Sequence, residues 1–178
     1  MINLYDLLLV NYCHPNCTPL QNIMWLPEEE AFDLAYRFAK ENPDTTAFGR
    51  FADFTNYYPR RLETDRLLHQ DFIRQGGKPE VDHPLSFVLQ GSEYLHGWFS
   101  HGIITSIPLS DIPAEVISFT LGDSMSAPRP DGTVHVLTKQ ELMRRVSEYP
   151  GTLEGFMQEI NKTCHYIEAQ VWRKLSAG

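Results

Sequence analysis

Arg61, Asp65 and His69 recur at intervals of four, so on a helix they stand one above another. A permanent cation, a carboxylate and a titratable imidazole on one face can hold an anion, orient a base and move a proton. Helical stepping puts Leu62, Leu68, Phe72 and Ile73 on the same arc, which predicts that the trio is half-buried; burial then requires pairing and displaces pKa values. These three are the candidate catalytic residues, with Arg61 holding an anion, His69 acting as base and Asp65 orienting it. The plainer alternative is an ordinary helix ion pair at the core margin with a hydrogen-bonded histidine beside it.

A second grouping is His96-Gly97-Trp98-Phe99-Ser100-His101-Gly102, where two histidines and a tryptophan stand between glycines as the chain turns from helix to strand. Such loops line pockets, and Tyr58, His96, Trp98 and His101 are the candidate binding residues. Histidines at i and i+5 do not share a helix face, and no HExxH spacing accompanies them. Cys13, His14 and Cys17 near one end, with Cys164 and His165 near the other, supply soft ligands but no paired CxxC knuckles. The expectation is free thiols, no metal site and no cofactor.

The elements that must position these groups can be read from capping signals and periodicity. Asn3 to Tyr12 reads as a short opening helix and Leu20 to Leu26 as a strand. Pro27 followed by Glu28, Glu29 and Glu30 opens a helix that Asn42-Pro43 stops. A further helix runs from Pro59 to Gly76-Gly77, where glycine enters the left-handed conformation cheaply. Leu85 to Leu89, Ile103 to Leu109, Val116 to Leu121 and Thr133 to Leu137 read as strands, and their short connections favour an antiparallel sheet. A brief helix at Glu93 to Phe99 interrupts the first pair. Thr138-Lys139-Gln140-Glu141 is a capping box for a helix ending near Tyr149. From Thr152 the helical spacing continues to Val171, although His165 to Trp172 could instead be an edge strand. Leu85-Ser86-Phe87-Val88-Leu89 and Ile117-Ser118-Phe119-Thr120-Leu121 echo each other, as two neighbouring strands under similar packing demands would.

The whole reads as one α+β domain over 1–178, a mainly antiparallel sheet of four to five strands packed by four to five helices. With 42% hydrophobic and 12% aromatic residues the chain can build its own core without staples. A net charge of −8 and no Lys/Arg run argue against nucleic-acid binding. The apolar stretch Leu7 to Val10 is too short for a signal or a membrane span, and three cysteines point to a reducing, cytosolic setting.

Ile117-Ser118-Phe119-Thr120-Leu121-Gly122-Asp123-Ser124 resembles the first block of the GDSL-type hydrolases, a strand ending in Gly-Asp-Ser, which implies Ser124 as nucleophile. That family's Asp-x-x-His block has no counterpart after Ser124, so a polar turn is the expected reading of these residues. Over its length the chain resembles small bacterial proteins of unknown function, a likeness that assigns no residue a role. Two functions therefore stand side by side. One is a non-catalytic accessory domain whose aromatics meet a protein partner or a second copy; the other is a small hydrolase or transferase with its pocket between the 59–75 helix and the sheet.

Overall fold

Strand alternation builds the molecule's centre. The computed structural model describes residues 2–176 and contains one antiparallel sheet. Its strands are β1 (Leu8–Cys13), β2 (Leu85–Leu89), β3 (Ile103–Pro108), β4 (Ile117–Leu121), β5 (Leu137–Thr138) and β6 (Ile167–Val171), in spatial order β3-β1-β2-β6-β4-β5. The helices are α1 (Glu28–Glu41), α2 (Gly49–Ala52), α3 (Phe54–Arg74), α4 (Glu93–Trp98), α5 (Lys139–Glu148) and α6 (Leu153–Asn161). The α+β class holds, with a slightly larger sheet than expected.

The two faces of the sheet differ in chemistry. Leu9, Phe87, Phe119 and Ala169 point to one side, where Leu142 and Val146 of α5 and Phe156 of α6 complete the main core. The opposite side carries Ser86, Ser118, Thr120, Glu168 and Gln170, and α3 lies over it. A second, aromatic cluster joins α1, α2 and the start of α3 through Phe48, Phe51 and Phe54.

Four expectations fail for physical reasons. The opening helix is replaced by a single 3-10 turn at Leu4–Asp6 and then β1, in which exposed Leu8 alternates with fully buried Leu9. The run Leu7 to Val10 contained both patterns, and pairing with β2 and β3 selects the strand. The expected strand at Leu20 to Leu26 is a 3-10 turn, Ile23–Trp25, capped by Asn22, whose side-chain oxygen accepts from the Met24 amide at 2.9 Å. Residues 133–136 are not a strand, and only Leu137–Thr138 pairs with β4. Instead, α3 satisfies their backbone: the Val136 amide donates to Asp71 Oδ2 at 2.8 Å and its carbonyl accepts from Gln75 at 2.8 Å. The helical spacing beyond Asn161 gives way to β6, buried on both faces in the middle of the sheet rather than at its edge. Its alternation, apolar Ile167, Ala169 and Val171 against polar Glu168 and Gln170, is only five residues long and follows directly on a run with helical spacing.

The third helix starts five residues before Pro59, because burying Phe54 against Phe32 and Phe51 outweighs the proline signal. It ends as its glycines require: Gly76 has φ +94°, and the Gly77 and Gly76 amides bond back to the Phe72 and Ile73 carbonyls, both at 2.9 Å. Of the expected capping box, the N-cap half forms, with the Glu141 amide donating to the Thr138 hydroxyl at 3.2 Å; the Glu141 carboxylate instead accepts from Arg144 and Arg145.

Candidate functional site

Arg61 and Asp65 face the sheet from α3, one helical turn apart, and form an ion pair in which the carboxylate is 2% exposed and the guanidinium 12%. Of the proposed apolar arc, Leu68 and Phe72 are buried, whereas Leu62 and Ile73 lie exposed. His69 does not join the pair. Its ring stands edge-on to Trp172 at 5.4 Å and its Nε2 lies 3.7 Å from Asp82. The imidazole that meets Asp65 is His83, whose Nδ1 donates to Asp65 Oδ2 at 2.7 Å. Asp65 therefore bridges a cation and an imidazole, and the helix-face stacking that suggested His69 missed a partner 18 residues away in sequence.

Arg61 also reaches the strands. Its two terminal nitrogens donate to Ser124 Oγ, each at 3.2 Å, while its buried Nε–H has no acceptor. Burial works against the guanidinium's charge, yet the adjacent Asp65, then Tyr57 and Glu168, raise its pKa overall. Ser124 is itself buried, in a 3-10 turn capped by Asp123, and its amide donates to Glu168 Oε2 at 2.9 Å. Its hydroxyl accepts from the Arg61 cation and lies beside the Glu168 carboxyl.

Glu168 lies at the centre of the sheet's polar face. Its other oxygen accepts from Gln170 Nε2 at 3.2 Å and Ser86 Oγ at 3.4 Å. Gln170 bonds in turn to Thr120 and Ser118, and the Trp172 indole N–H donates to Ser118 Oγ at 2.9 Å. A continuous hydrogen-bonded chain thus runs from Trp172 to Asp65 and His83 under α3. Removal from water pushes the Glu168 carboxyl above its ordinary value; Arg61 opposes this and Asp123 reinforces it.

Beside this chain opens a cavity of about 750 Å³, within the range of small-molecule sites. Its walls include Arg61, Asp65, Glu168, Tyr57, Tyr166 and Trp98. Burial, then the charges of Asp123 and Glu168, raise the Tyr166 phenol, so it stays protonated and can donate. Arg50 and Arg60 also border the space, giving three arginines against Asp65, Asp123 and Glu168. Comparison with protein-family models, curated proteins and solved structures finds no match.

Of the candidate binding residues, Trp98 lines the cavity beside Tyr94. Tyr58 lies in the aromatic cluster, 5.2 Å from Phe32 and 5.5 Å from Phe54, and it is Tyr57 that faces the cavity. His96 stacks on Tyr12, which borders the cavity, but neither His96 nor His101, 4.8 Å from it, lines the cavity. Cys13, Cys17 and Cys164 are free thiols.

Sequence reasoning missed Glu168, His83 and Asp123. The alternation Ile167-Glu168-Ala169-Gln170-Val171 was the available signal: read as a strand, it puts a carboxylate and an amide on one face. No helix among the described residues is long and apolar enough to cross a membrane.

Proposed function

We propose that the cavity between α3 and the sheet is the reaction site of a small hydrolase or transferase acting on a small anionic substrate. The observation that carries this reading is the pairing, in one cavity wall, of a buried arginine with an unfilled donor and a buried carboxyl with a raised pKa. Such groups would be replaced by apolar residues at little or no cost if the fold alone were at stake. Arg61 supplies positive charge to an anion at the cavity wall, with Asp65 holding the guanidinium in place. Glu168 exchanges the proton, its removal from water raising the carboxyl above its ordinary value. Tyr57, Tyr166 and Trp98 provide flat apolar walls suited to a planar or ring-bearing substrate.

Thermal-shift screening against phosphate monoesters, nucleotides and small carboxylates, followed by turnover assays on the compounds that bind, tests this reading. Binding should survive in Glu168→Gln while turnover is lost, and Trp98→Ala should weaken binding. Turnover unchanged in Glu168→Gln would overturn the proposed role.

The accessory-domain reading keeps one specific support. β3 is an outer strand of the sheet, and Ile103 and Ile104 on it are 39% and 51% exposed. Unpaired backbone beside exposed isoleucines invites strand addition by a partner or a second copy. Sedimentation of the parent and of Ile104→Lys over a concentration series separates this from a monomer whose β3 edge stays free.

A further inference from the structure

We infer that Glu93, His96 and His101 form a binding site for a zinc-like divalent cation on the outer side of α4. This site is separate from the cavity, which α4 borders with Tyr94, Leu95 and Trp98. It is the one place among the described residues where three potential ligand atoms converge, all within 4.8 Å of one another.

The convergence arises where the helix ends. Histidines five apart on a continuing helix would point in different directions, but α4 stops at Trp98, and Ser100 and His101 adopt φ values of +56° and +49°. The chain doubles back, the His101 amide bonds to the His96 carbonyl at 2.8 Å, and the two rings meet edge to face at 4.8 Å. His101 Nε2 then lies 3.1 Å from Glu93 Oε1, and His96 Nδ1 lies 3.7 Å from Glu93 Oε2. Two metal–ligand bonds of about 2.0–2.1 Å meeting at a tetrahedral angle separate their ligand atoms by roughly 3.4 Å. The two histidine–Glu93 spacings, one to each carboxylate oxygen, lie near that value, and the three ligand atoms stay within 4.8 Å of one another, so side-chain adjustment can close them around a cation.

The second contact of His96 fits the same role. Its Nε2 lies 3.3 Å from the Gly102 carbonyl, which can only accept, so the proton resides on Nε2 and the Nδ1 lone pair faces Glu93. An imidazole that gives its far N–H to a backbone carbonyl and offers the other nitrogen is the usual arrangement of a metal-bound histidine. Stacking on Tyr12 at 5.3 Å fixes the ring plane. Metal entry requires that His101 Nε2, which faces the Glu93 carboxylate, offer its lone pair with a proton on Nδ1. Two imidazoles and one carboxylate match zinc and other late divalent metals rather than calcium or magnesium, and they leave coordination positions open to solvent. Glu93 and His101 are 82% and 63% exposed, so the path to the site is open.

Zinc titration of the metal-stripped full-length protein, by calorimetry and by competition with a chromophoric chelator, tests the site. The parent should bind one zinc ion per chain, and cobalt loading should give no thiolate charge-transfer band. Glu93→Gln and His101→Asn should each weaken binding by about tenfold or more. Asparagine tolerates the positive φ at position 101, and circular dichroism establishes that both variants remain folded. A Cys13→Ser, Cys17→Ser, Cys164→Ser variant should bind as the parent does. Equal binding by parent, Glu93→Gln and His101→Asn, or loss of binding with the cysteines, would overturn the assignment.

Discussion

Removing the Asp65 carboxylate tests the buried pair directly. Asp65→Ala leaves the Arg61 guanidinium under α3 without its counter-ion, and an arginine cannot escape by losing its proton. Breaking a buried pair in this way costs about 3–5 kcal/mol. The structure argues for the lower end, because Arg61 keeps Ser124 Oγ and the field of Glu168 and borders a cavity that can admit water. About 3 kcal/mol corresponds to a fall in melting temperature of roughly 6–12 °C for a chain of this size. Arg61→Met should cost less, since Asp65 keeps the His83 hydrogen bond and a carboxylate can be neutralised by a proton. The double variant should recover part of the loss of Asp65→Ala, and breaking the solvated Arg66–Glu63 pair on the same helix should barely register. Urea denaturation at neutral pH provides the free energies. If Asp65→Ala and Arg61→Met both fall within about 0.5 kcal/mol of the parent, the pair is not energetically buried and the account of the site fails.

Glu168→Gln should stay close to the parent in stability near pH 7: it removes a buried carboxyl and still accepts from the Ser124 amide, but its NH2 replaces the oxygen that accepts from Gln170 and Ser86, so the Gln170 amide must turn over. The Glu168 pKa is raised on folding, so its contribution to parent stability is full below about pH 4.3 and is lost as pH rises through the folded value; the urea midpoint of the variant relative to the parent should rise over that interval. Gly102→Ala should cost about 3 kcal/mol or more, since a Cβ there would stand 2.1 Å from the Cys13 carbonyl oxygen and 2.9 Å from the Pro15 nitrogen, both backbone atoms. Burial and then the neighbouring Cys17 push the Cys13 thiol up to about 11. Iodoacetamide at pH 8 should therefore label Cys13 at least about a hundredfold more slowly in the native protein than in urea, as mass spectrometry of digested samples can show.

Much of the scaffold was written in local signals. The glutamates at the start of α1 complement the helix dipole, and the double-glycine end of α3 and the Thr138 cap of α5 satisfy specific backbone groups, so all three act alike in any context. The echo between Leu85–Leu89 and Ile117–Leu121 also had a structural cause, though a different one from neighbouring strands. β2 and β4 flank β6 in equivalent register, so Ser86 and Ser118 both oppose Gln170, and Phe87 and Phe119 both close over the small Ala169. The site was legible only as far as one helix face extends. Arg61 and Asp65 are covalently one turn apart and meet, whereas the meetings with His83, Ser124 and Glu168 depend on how distant segments dock. His96 and His101 meet because of two residues with positive φ, neither of them glycine, which composition does not announce.

The position of β6 has a consequence for how the chain reaches its fold. β3-β1-β2 and β4-β5 can each pair early, but they share no strand contact until residues 167–171 insert between them. Until then each fragment presents an open inner edge, and the polar chain from Trp172 to His83 lacks its middle. Joining the two groups is therefore a non-local pairing, the kind that costs most loop-closure entropy. A one-residue slip of the arriving strand would turn Glu168 and Gln170 into the apolar core.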